Sequence, residues 1–283
     1  MKKILQRLMM FIIGLPAVLV IVIALPYYHH LAANIVLVIV SALGAVEFAD
    51  IVGRRGYRLP VWEAVLLGTL APLSGLLVID FGMDSTAVPI LMMFGLVWVI
   101  SSRIFAKATE LEHAADRTVV GLTVLLYPGL FIFWIVRMTG LPHATSALLV
   151  FLLTVFCNDS LAWLTGMLFG ANNRGLIAAS PNKSVAGFIG GIFASIVVGM
   201  AAPYVFPAAF QSSNLAKPLA GAILGFVSGT AAIIGDLAES TIKRSAGVKD
   251  SGAIIPGRGG ILDSIDSLSF AAPFFYAAYL ILF

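Results

Sequence analysis

Apolar residues in this chain run in long segments separated by short polar stretches, with no alternation of the kind that marks a soluble sheet. Segments of about twenty apolar residues match the hydrocarbon thickness of a bilayer, and a helix satisfies its own backbone hydrogen bonds there. The pattern therefore predicts an all-α, polytopic integral membrane protein. The nine predicted spans lie at residues 8–26, 31–49, 61–79, 86–105, 118–137, 144–169, 185–206, 217–242 and 264–283.

Composition agrees with this pattern, since 60% of the residues are hydrophobic and only 11% are charged. The first apolar run follows basic residues, as in a signal peptide, but it continues into Pro26 and Tyr27 without a small-residue cleavage site. We interpret it as a first membrane helix. The single cysteine, Cys157, excludes an intramolecular disulfide, and we expect it to be a small buried apolar residue.

The distribution of basic residues predicts the orientation of the chain. Fifteen of the seventeen Lys and Arg residues fall on one side of the nine-span layout. Cytoplasmic loops are enriched in these residues, so we expect a cytoplasmic N-terminus and an external C-terminus in a cell (cytoplasmic) membrane. Anionic headgroups beside these loops account for the net charge of +3 without a nucleic-acid partner. We expect one membrane domain, with 1–143 as a helical scaffold and 144–283 as the catalytic half.

The first half carries few polar residues, and we expect most of them at the membrane surface. Glu47, Asp50 and Glu63 lie near the ends of predicted spans, where solvated interfacial charges are expected. His29 and His30 are expected at the outer interface. These residues favour a scaffold role for this half.

Span six places Asn158 and Asp159 inside an apolar run. A carboxylate at that depth is costly unless it faces a wet cavity, a partner or an ion, which makes Asp159 a candidate functional residue. The alternative is a buried acid that is hydrogen-bonded for packing. Ala162, Gly166 and Gly170 follow at four-residue spacing and predict a face of small residues that allows close helix packing.

A polar turn precedes span seven and contains Ser180, Lys183 and Ser184, with glycines after it. It is not a Walker A loop, because there the glycines precede the lysine. Free backbone N–H groups at a helix start, with a lysine and a hydroxyl beside them, suit phosphate oxygens. The alternative is an ordinary basic cytoplasmic loop.

The segment from Gly235 to Ser267 holds nine of the thirty-one charged residues. Asp236, Glu239, Ser240 and Lys243 fall at i, i+3, i+4 and i+7, which predicts one helical face. The segment also contains Arg244, Lys249, Asp250, Gly257, Arg258, Gly259, Gly260, Asp263 and Asp266. Its glycines permit tight turns beside a ligand, and an arginine binds phosphate in a forked geometry.

Carboxylates from two helices beside basic residues suit a hard cation that bridges phosphate oxygens. Asp236 and Asp263 both enter apolar helices, which favours a metal and phosphate site. The alternative is a set of interfacial salt bridges combined with basic topology signals.

Together these segments resemble the phosphatidate cytidylyltransferase family, also called CDP-diacylglycerol synthases, from about residue 158 to 270. The residues that carry the resemblance are Asp159-Ser160-x-Ala162, Ser180-Pro181-x-Lys183-Ser184-x-x-Gly187, Ser240-x-x-Lys243-Arg244, Lys249-Asp250-Ser251-Gly252, Ile255-Pro256-Gly257-x-Gly259-Gly260 and Asp263-x-x-Asp266-Ser267. The chain departs from the family pattern at Arg258, Ser264 and Ala186, where the family often has His, Arg, and Glu or Gln.

The resemblance implies an integral-membrane enzyme that condenses CTP with phosphatidic acid, forming CDP-diacylglycerol and pyrophosphate. It also implies about nine helices, Mg²⁺ with K⁺ as a second ion, a homodimer, and a cytoplasm-facing active site. The metal ligands implied are Asp236 and Asp263.

On this hypothesis the catalytic residues are Asp236, Asp263, Lys243 and Asp159. The substrate-binding residues are Ser180, Lys183, Ser184, Ser240, Arg244, Lys249, Asp250, Arg258, Gly259, Gly260 and Asp266. Two alternatives remain: a CTP-dependent kinase of a membrane lipid alcohol, and an ion-coupled secondary transporter built on Asp159 and Asp236.

Overall fold

A computed structural model describes residues 14–54, 58–104, 107, 111–211, 215–255 and 257–283. Across these ranges the chain forms nine helical segments and no named strand. They are α1 (Leu15–Ala24), α2 (Tyr27–Gly53), α3 (Val61–Asp80), α4 (Ala87–Ser101), α5 (Ala114–Thr139), α6 (Ala144–Phe169), α7 (Val185–Val205), α8 (Lys217–Ser245) and α9 (Leu262–Leu282).

Seven of these helices, α2, α3 and α5 to α9, are long and apolar enough to cross a membrane. Helix α4 is apolar but shorter, and α1 is described only from Leu15. The prediction of an all-α, multi-pass membrane protein is confirmed, and each predicted span corresponds to one of the nine segments. The start of the first predicted span and its basic residues Lys2, Lys3 and Arg7 lie outside the described residues. The sidedness of the termini stays a prediction.

The chain forms two compact units. The first contains the described residues up to Gly140 together with Ser245–Ile265, and the second contains Leu141–Arg244 and Asp266–Phe283. The loop between α8 and α9 thus groups with the N-terminal helices, and the residues predicted as functional are distributed over both units. The single domain expected from the sequence, with its division near residue 143, stays a prediction.

Helix α5 contains a π-helical turn, Leu125–Leu130, in the first unit. Pro128 lies in this turn, and a proline has no N–H to complete the helical ladder. Ser41 on α2 lies beside this turn, and its hydroxyl, 2.7 Å from both the Pro128 oxygen and the Gly68 oxygen, donates to one of them at a time. The turn is therefore accommodated by a polar residue from a neighbouring helix.

Glu63 is buried, with only 1% exposure, so the expectation of a solvated charge at this position is wrong. Arg117 forms an ion pair with its carboxylate, Arg103 donates at 3.3 Å, and Trp98 donates through Nε1 at 3.2 Å. These partners come from α4, from α5 and from the chain that follows α4, and they pair the charge away from water. Buried charges of this kind are tolerated when they are paired and hydrogen-bonded.

A second polar cluster in the first unit involves Asn34, which is fully buried. Its amide donates to Asp80 at 2.8 Å and to Thr139 at 3.0 Å, joining α2, α3 and α5. His29 is exposed, as expected, whereas His30 is buried. The first half thus contains interior polar contacts that the sequence pattern did not predict.

Small residues set the helix spacing in the second unit. A Cβ on Gly199 of α7 would lie 2.1 Å from the Gly221 oxygen of α8, and one on Gly225 would lie 2.1 Å from the Ser195 oxygen. Helices α7 and α8 therefore cross in backbone contact, as small residues permit in membranes.

The face of small residues predicted on α6 is also confirmed. A Cβ on Gly170 would lie 2.7 Å from the Ser184 hydroxyl, and a Cβ on Gly187 would lie 2.9 Å from the Ala162 oxygen. The start of α7 therefore packs closely against α6.

Candidate functional site

The second unit contains a cavity of about 370 Å³ between α6, α8 and the start of α7. Its polar lining comes from three segments that are distant in sequence. Those residues are Asn158, Asp159, Arg174, Asn182, Lys183, Ser184 and Asp236. The apolar wall of the cavity is formed by Trp163, Met167, Phe188 and Ile233. Asp159 lines the same cavity as Lys183, Ser184 and Asp236, while its functional role stays a prediction.

Lys183 and Asp236 form an ion pair inside this cavity. Both side chains are partly buried, at 26% and 31% exposure. The Ser240 hydroxyl, one turn along α8, donates to the other Asp236 oxygen at 3.5 Å. The loop before α7 therefore places the ammonium group of Lys183 against the Asp236 carboxylate of α8, and both groups remain accessible from the cavity.

The start of α7 borders the same cavity, but its first N–H groups already have partners, so the expectation of free N–H groups there is wrong. Val185 N donates to the Asn173 oxygen at 3.1 Å, Ala186 N to Asn173 Oδ1 at 3.3 Å and Gly187 N to Ser184 Oγ at 3.0 Å. What this end of the helix offers an anion is the positive end of the helix dipole. With Lys183 and Arg174 beside it, this end of the cavity suits an anionic group such as a phosphate.

The loop that carries Lys183 is held by several hydrogen bonds. Lys183 N donates to the Ser180 oxygen at 3.1 Å, and Gly175 N donates to the Pro181 oxygen at 3.0 Å. Arg174 donates to the Gly166 oxygen of α6 at 3.0 Å. Ser180 thus shapes the turn through its backbone, while Lys183 and Ser184 line the cavity.

Asn158 is fully buried and joins the three helices around the cavity. Its amide donates to the Ser195 hydroxyl of α7 at 2.9 Å and to the Gly229 oxygen of α8 at 3.3 Å. These contacts fix α6 where Asp159 follows. The next residue, Asp159, is exposed and lines the cavity.

More charged residues gather near Asp236. Glu239 and Lys243 are both buried and form an ion pair one turn apart on α8, in keeping with the predicted helical face. The buried carboxyl of Asp266, on α9, is within electrostatic reach of Asp236, Glu239 and Asp159. Arg244 lies at the end of α8, where it donates to the Ala179 oxygen at 3.3 Å.

The first unit contains a second polar centre, built on Asp263 and the preceding loop. One Asp263 oxygen, Oδ2, accepts from Ser251 N, Ser251 Oγ and Gly260 N, each at 2.8 Å. Gly257 and Gly259 have φ values of 81° and 118°, so the tight turn predicted here is confirmed. Lys249, Asp250 and Arg258 are exposed on this loop, and Pro256 lies outside the described residues.

Glu47 is a member of this centre that the sequence interpretation missed. It was expected to be solvated, but it is only 7% exposed, so that expectation is wrong. Its carboxylate accepts from Ile261 N at 3.1 Å, Leu262 N at 2.9 Å and Ser251 Oγ at 3.1 Å. The only signal in the sequence was a carboxylate near the end of an apolar helix, with nothing to link it to a loop more than 200 residues later.

The residues predicted to bind substrate or metal thus fall into two sets. Those in the second unit are Asp159, Ser180, Lys183, Ser184, Asp236, Ser240, Lys243, Arg244 and Asp266, and those in the first are Lys249, Asp250, Arg258, Gly259, Gly260 and Asp263. Asp236 and Asp263 belong to different units, so their joint metal site stays a prediction.

The donor set around Asp236 fits a hard divalent cation. Its carboxylate is partly exposed in a cavity that Asp159 also lines, and carboxylate oxygens are the protein ligands that Mg²⁺ prefers. Within the described ranges, no three His, Cys, Asp or Glu side chains are arranged as a metal site. A site that takes one or two carboxylates together with substrate phosphates needs no such group.

Comparison with known proteins relates this chain to enzymes of nucleotide transfer. A protein of Staphylococcus aureus (strain COL) named phosphatidate cytidylyltransferase is 40% identical over 146 residues, which is 51% of this chain and 52% of that protein. A protein of the same name from Synechocystis sp. is 37% identical over 147 residues, which is 51% of this chain and 47% of that protein. Another from Haemophilus influenzae is 39% identical over 140 residues, which is 48% of this chain and 46% of that protein.

The chain spans about half the length of the curated relatives it matches. The family match is longer, since the sequence profile of the Cytidylyltransferase family matches residues 5–282, nearly the whole chain. This chain therefore belongs to the Cytidylyltransferase family.

Proposed function

We propose that this protein is a CTP:phosphatidate cytidylyltransferase of a cell membrane. The observation that carries the proposal is the cavity of the second unit, where Lys183, the start of α7 and the carboxylates of Asp159 and Asp236 meet. Relatives that bear this name match about half of the chain, and the family match supports the same chemistry.

The reaction is a direct transfer of the cytidylyl group. A phosphate oxygen of phosphatidic acid attacks the α-phosphorus of CTP, the new P–O bond forms, and the bond to the leaving pyrophosphate breaks. A phosphate monoester is already anionic near neutral pH, so no strong general base is needed. Positioning and charge neutralisation account for most of the acceleration in such reactions.

The cavity residues have complementary roles in this proposal. Lys183 binds phosphate oxygens of CTP, the positive end of the α7 dipole favours the same anion, and Arg174 extends this positive surface. Asp236 and Asp159 would hold the divalent cation, with Asp263 as the further ligand proposed from the sequence. A bound Mg²⁺ would neutralise phosphate charge and polarise the phosphorus for attack. Apolar residues such as Trp163 exclude water beside the reacting groups.

Other parts of the proposal extend the sequence-based expectations. Lys243 balances the buried carboxylate of Glu239 through their ion pair. The carboxyl group of Asp266 interacts electrostatically with Asp236, Glu239 and Asp159. Arg244, Lys249, Asp250 and Arg258, with Gly259 and Gly260, bind phosphates or the lipid headgroup. The active site faces the cytoplasm, K⁺ is the second ion, and the enzyme is a homodimer.

The test uses the purified full chain in mixed micelles with phosphatidic acid, Mg²⁺ and CTP labelled at the α-phosphorus. We expect label in a lipid product, and one pyrophosphate for each lipid labelled, only when phosphatidic acid is present. Release of CDP with formation of a lipid phosphate from a lipid alcohol would instead establish a kinase. Flux of a solute across sealed vesicles without CTP would establish a transporter.

A further inference from the structure

Glu47 contacts a loop that is distant in sequence but belongs to the same compact unit. Its carboxylate is bound by Ser251 Oγ, which lies 204 positions later, and by the N–H groups of Ile261 and Leu262. An ionised carboxylate inside a membrane helix is costly unless it is hydrogen-bonded. The two backbone donors, at 2.9 and 3.1 Å, meet that requirement, and the Ser251 hydroxyl at 3.1 Å adds a third when its hydrogen points to Glu47.

Two of these donors identify Glu47 as a cap for α9. The first N–H groups of a helix have no partner within the helix, and a carboxylate near them also interacts favourably with the helix dipole. Here Ile261 precedes α9 and Leu262 is its first residue. A side chain of α2 therefore fixes the position at which α9 begins.

The loop before α9 fits closely around this carboxylate. A Cβ on Gly252 would lie 2.5 Å from Glu47 Oε1, and a Cβ on Gly260 would lie 2.3 Å from Oε2. Both positions therefore require glycine while Glu47 occupies this place. Gly260, which the sequence assigned to a tight turn, therefore also admits the carboxylate.

Ser251 links Glu47 to Asp263. Its hydroxyl lies 3.1 Å from Glu47 Oε2 and 2.8 Å from Asp263 Oδ2, and its single hydrogen donates to one of them at a time. Asp263 is also held by the N–H groups of Ser251 and Gly260, which belong to the loop that surrounds Glu47. Movement of Glu47 would therefore be transmitted to Asp263.

We propose that Glu47 is a positioning residue, which fixes Ser251, Gly260 and the start of α9 and thereby the orientation of the Asp263 carboxylate. This role rests on the proposed function, in which Asp263 is a metal ligand. Glu47 itself touches neither substrate nor product. It acts through Ser251 and the backbone of the loop.

The first test needs no substrate and uses the full chain in detergent. Glu47→Gln keeps the size of the side chain but replaces an acceptor oxygen with a donor that faces backbone N–H groups. We expect trypsin to cleave after the exposed Lys249 and Arg258 at least about threefold faster than in the wild type, because local opening exposes the backbone. The control is Asp50→Asn, which removes a carboxylate three residues along the same helix that pairs with the exposed Arg54. Equal cleavage rates in Glu47→Gln and the control would overturn the anchoring role.

The second test separates positioning from general stability. We expect Glu47→Gln to raise the Mg²⁺ concentration for half-maximal activity and the KM for CTP by about tenfold, the loss typical of residues that orient a metal ligand. A role in folding alone would lower the amount of active enzyme and leave both constants unchanged, which would refute the proposal.

Ser251→Ala serves if Glu47→Gln does not fold. It removes the hydroxyl link, while each carboxylate keeps its backbone donors. We therefore expect smaller increases in the KM for CTP and in the Mg²⁺ concentration for half-maximal activity, and unchanged values would refute the proposal.

If wild-type protein forms no CDP-linked lipid, the proposed function fails, whereas the cleavage rates still decide whether Glu47 anchors the loop.

Discussion

At the scale of single residues, the contact between Lys183 and Asp236 carries the most chemical information. An ammonium group and a carboxylate pair inside a cavity, and both remain partly exposed. A pair that served packing alone would be better buried and fully hydrogen-bonded. In the proposed function, a ligand would bring phosphate to Lys183 and a divalent cation to Asp236.

Lys183→Ala should reduce cytidylyl transfer by roughly 10²- to 10³-fold, because it removes a preorganised positive donor from charge that develops in the transition state. Rates of CDP-linked lipid formation under saturating substrates measure this loss. Lys217→Ala is the matched control, since Lys217 is an exposed lysine at the opposite end of α8, outside the cavity. Equal rates for the two variants would contradict a phosphate-binding role for Lys183.

Asp236→Asn tests the metal assignment separately from the lysine. The amide keeps the size of the carboxylate but loses its charge, so the apparent affinity for Mg²⁺ should fall by about tenfold or more. The measurement is the Mg²⁺ dependence of pyrophosphate release. A variant that retains the wild-type activity and Mg²⁺ dependence would exclude Asp236 as a metal ligand.

At the scale of helices, backbone contact between α7 and α8 sets the geometry of the second unit. Gly199 and Gly221 each lie where a Cβ would approach the other residue's carbonyl oxygen to 2.1 Å. Backbone atoms cannot rotate away as a side chain can, so the helices would have to separate. Lys183 precedes α7 and Asp236 lies on α8, so this contact joins the two helices that bring the ion pair together.

Gly199→Ala should therefore destabilise the protein by about 1–3 kcal/mol, the range for overpacking a close contact. Gly44→Ala is the control, because a Cβ there meets side chains only at 3.7 to 3.9 Å, which is ordinary contact. Alanine also favours a helix over glycine by about 1 kcal/mol, so Gly44→Ala should be neutral or stabilising. Thermal unfolding in detergent distinguishes the two, and equal stabilities would show that α7 and α8 tolerate separation.

The helices themselves could be predicted from the sequence, whereas several of their contacts could not. A membrane helix satisfies its own backbone, so a run of apolar residues of sufficient length identifies it locally. The burial of Glu63 by Arg103 and Arg117 depends on which helices become neighbours, and no local pattern encodes that choice. Glu47 is the same case, because its donors lie in a loop far along the chain. Asp159 could be singled out because a polar residue in an apolar context is itself a signal, whereas Lys183 was singled out by its place in a polar turn before a helix.

At the scale of the whole molecule, the charge asymmetry of the loops leads to a testable orientation. Basic residues are concentrated in alternate loops, which predicts a cytoplasmic N-terminus and places the turn between α3 and α4 outside. The loop between α6 and α7 would then be cytoplasmic, where CTP is available to Lys183. The proposed function requires this orientation, because the opposite one would place the end of the cavity that contains Lys183 outside the cell, away from cytoplasmic CTP.

Cysteine labelling decides between the two orientations. In a Cys157→Ser background, Ser85→Cys and Ala171→Cys each place one thiol at an exposed loop position, between α3 and α4 and between α6 and α7 respectively. We expect a membrane-impermeant maleimide to label Ser85→Cys in intact cells and to label Ala171→Cys only after lysis. The reverse pattern would overturn the cytoplasmic placement of the cavity loop, and with it the supply of CTP from the cytoplasm that the proposed reaction requires.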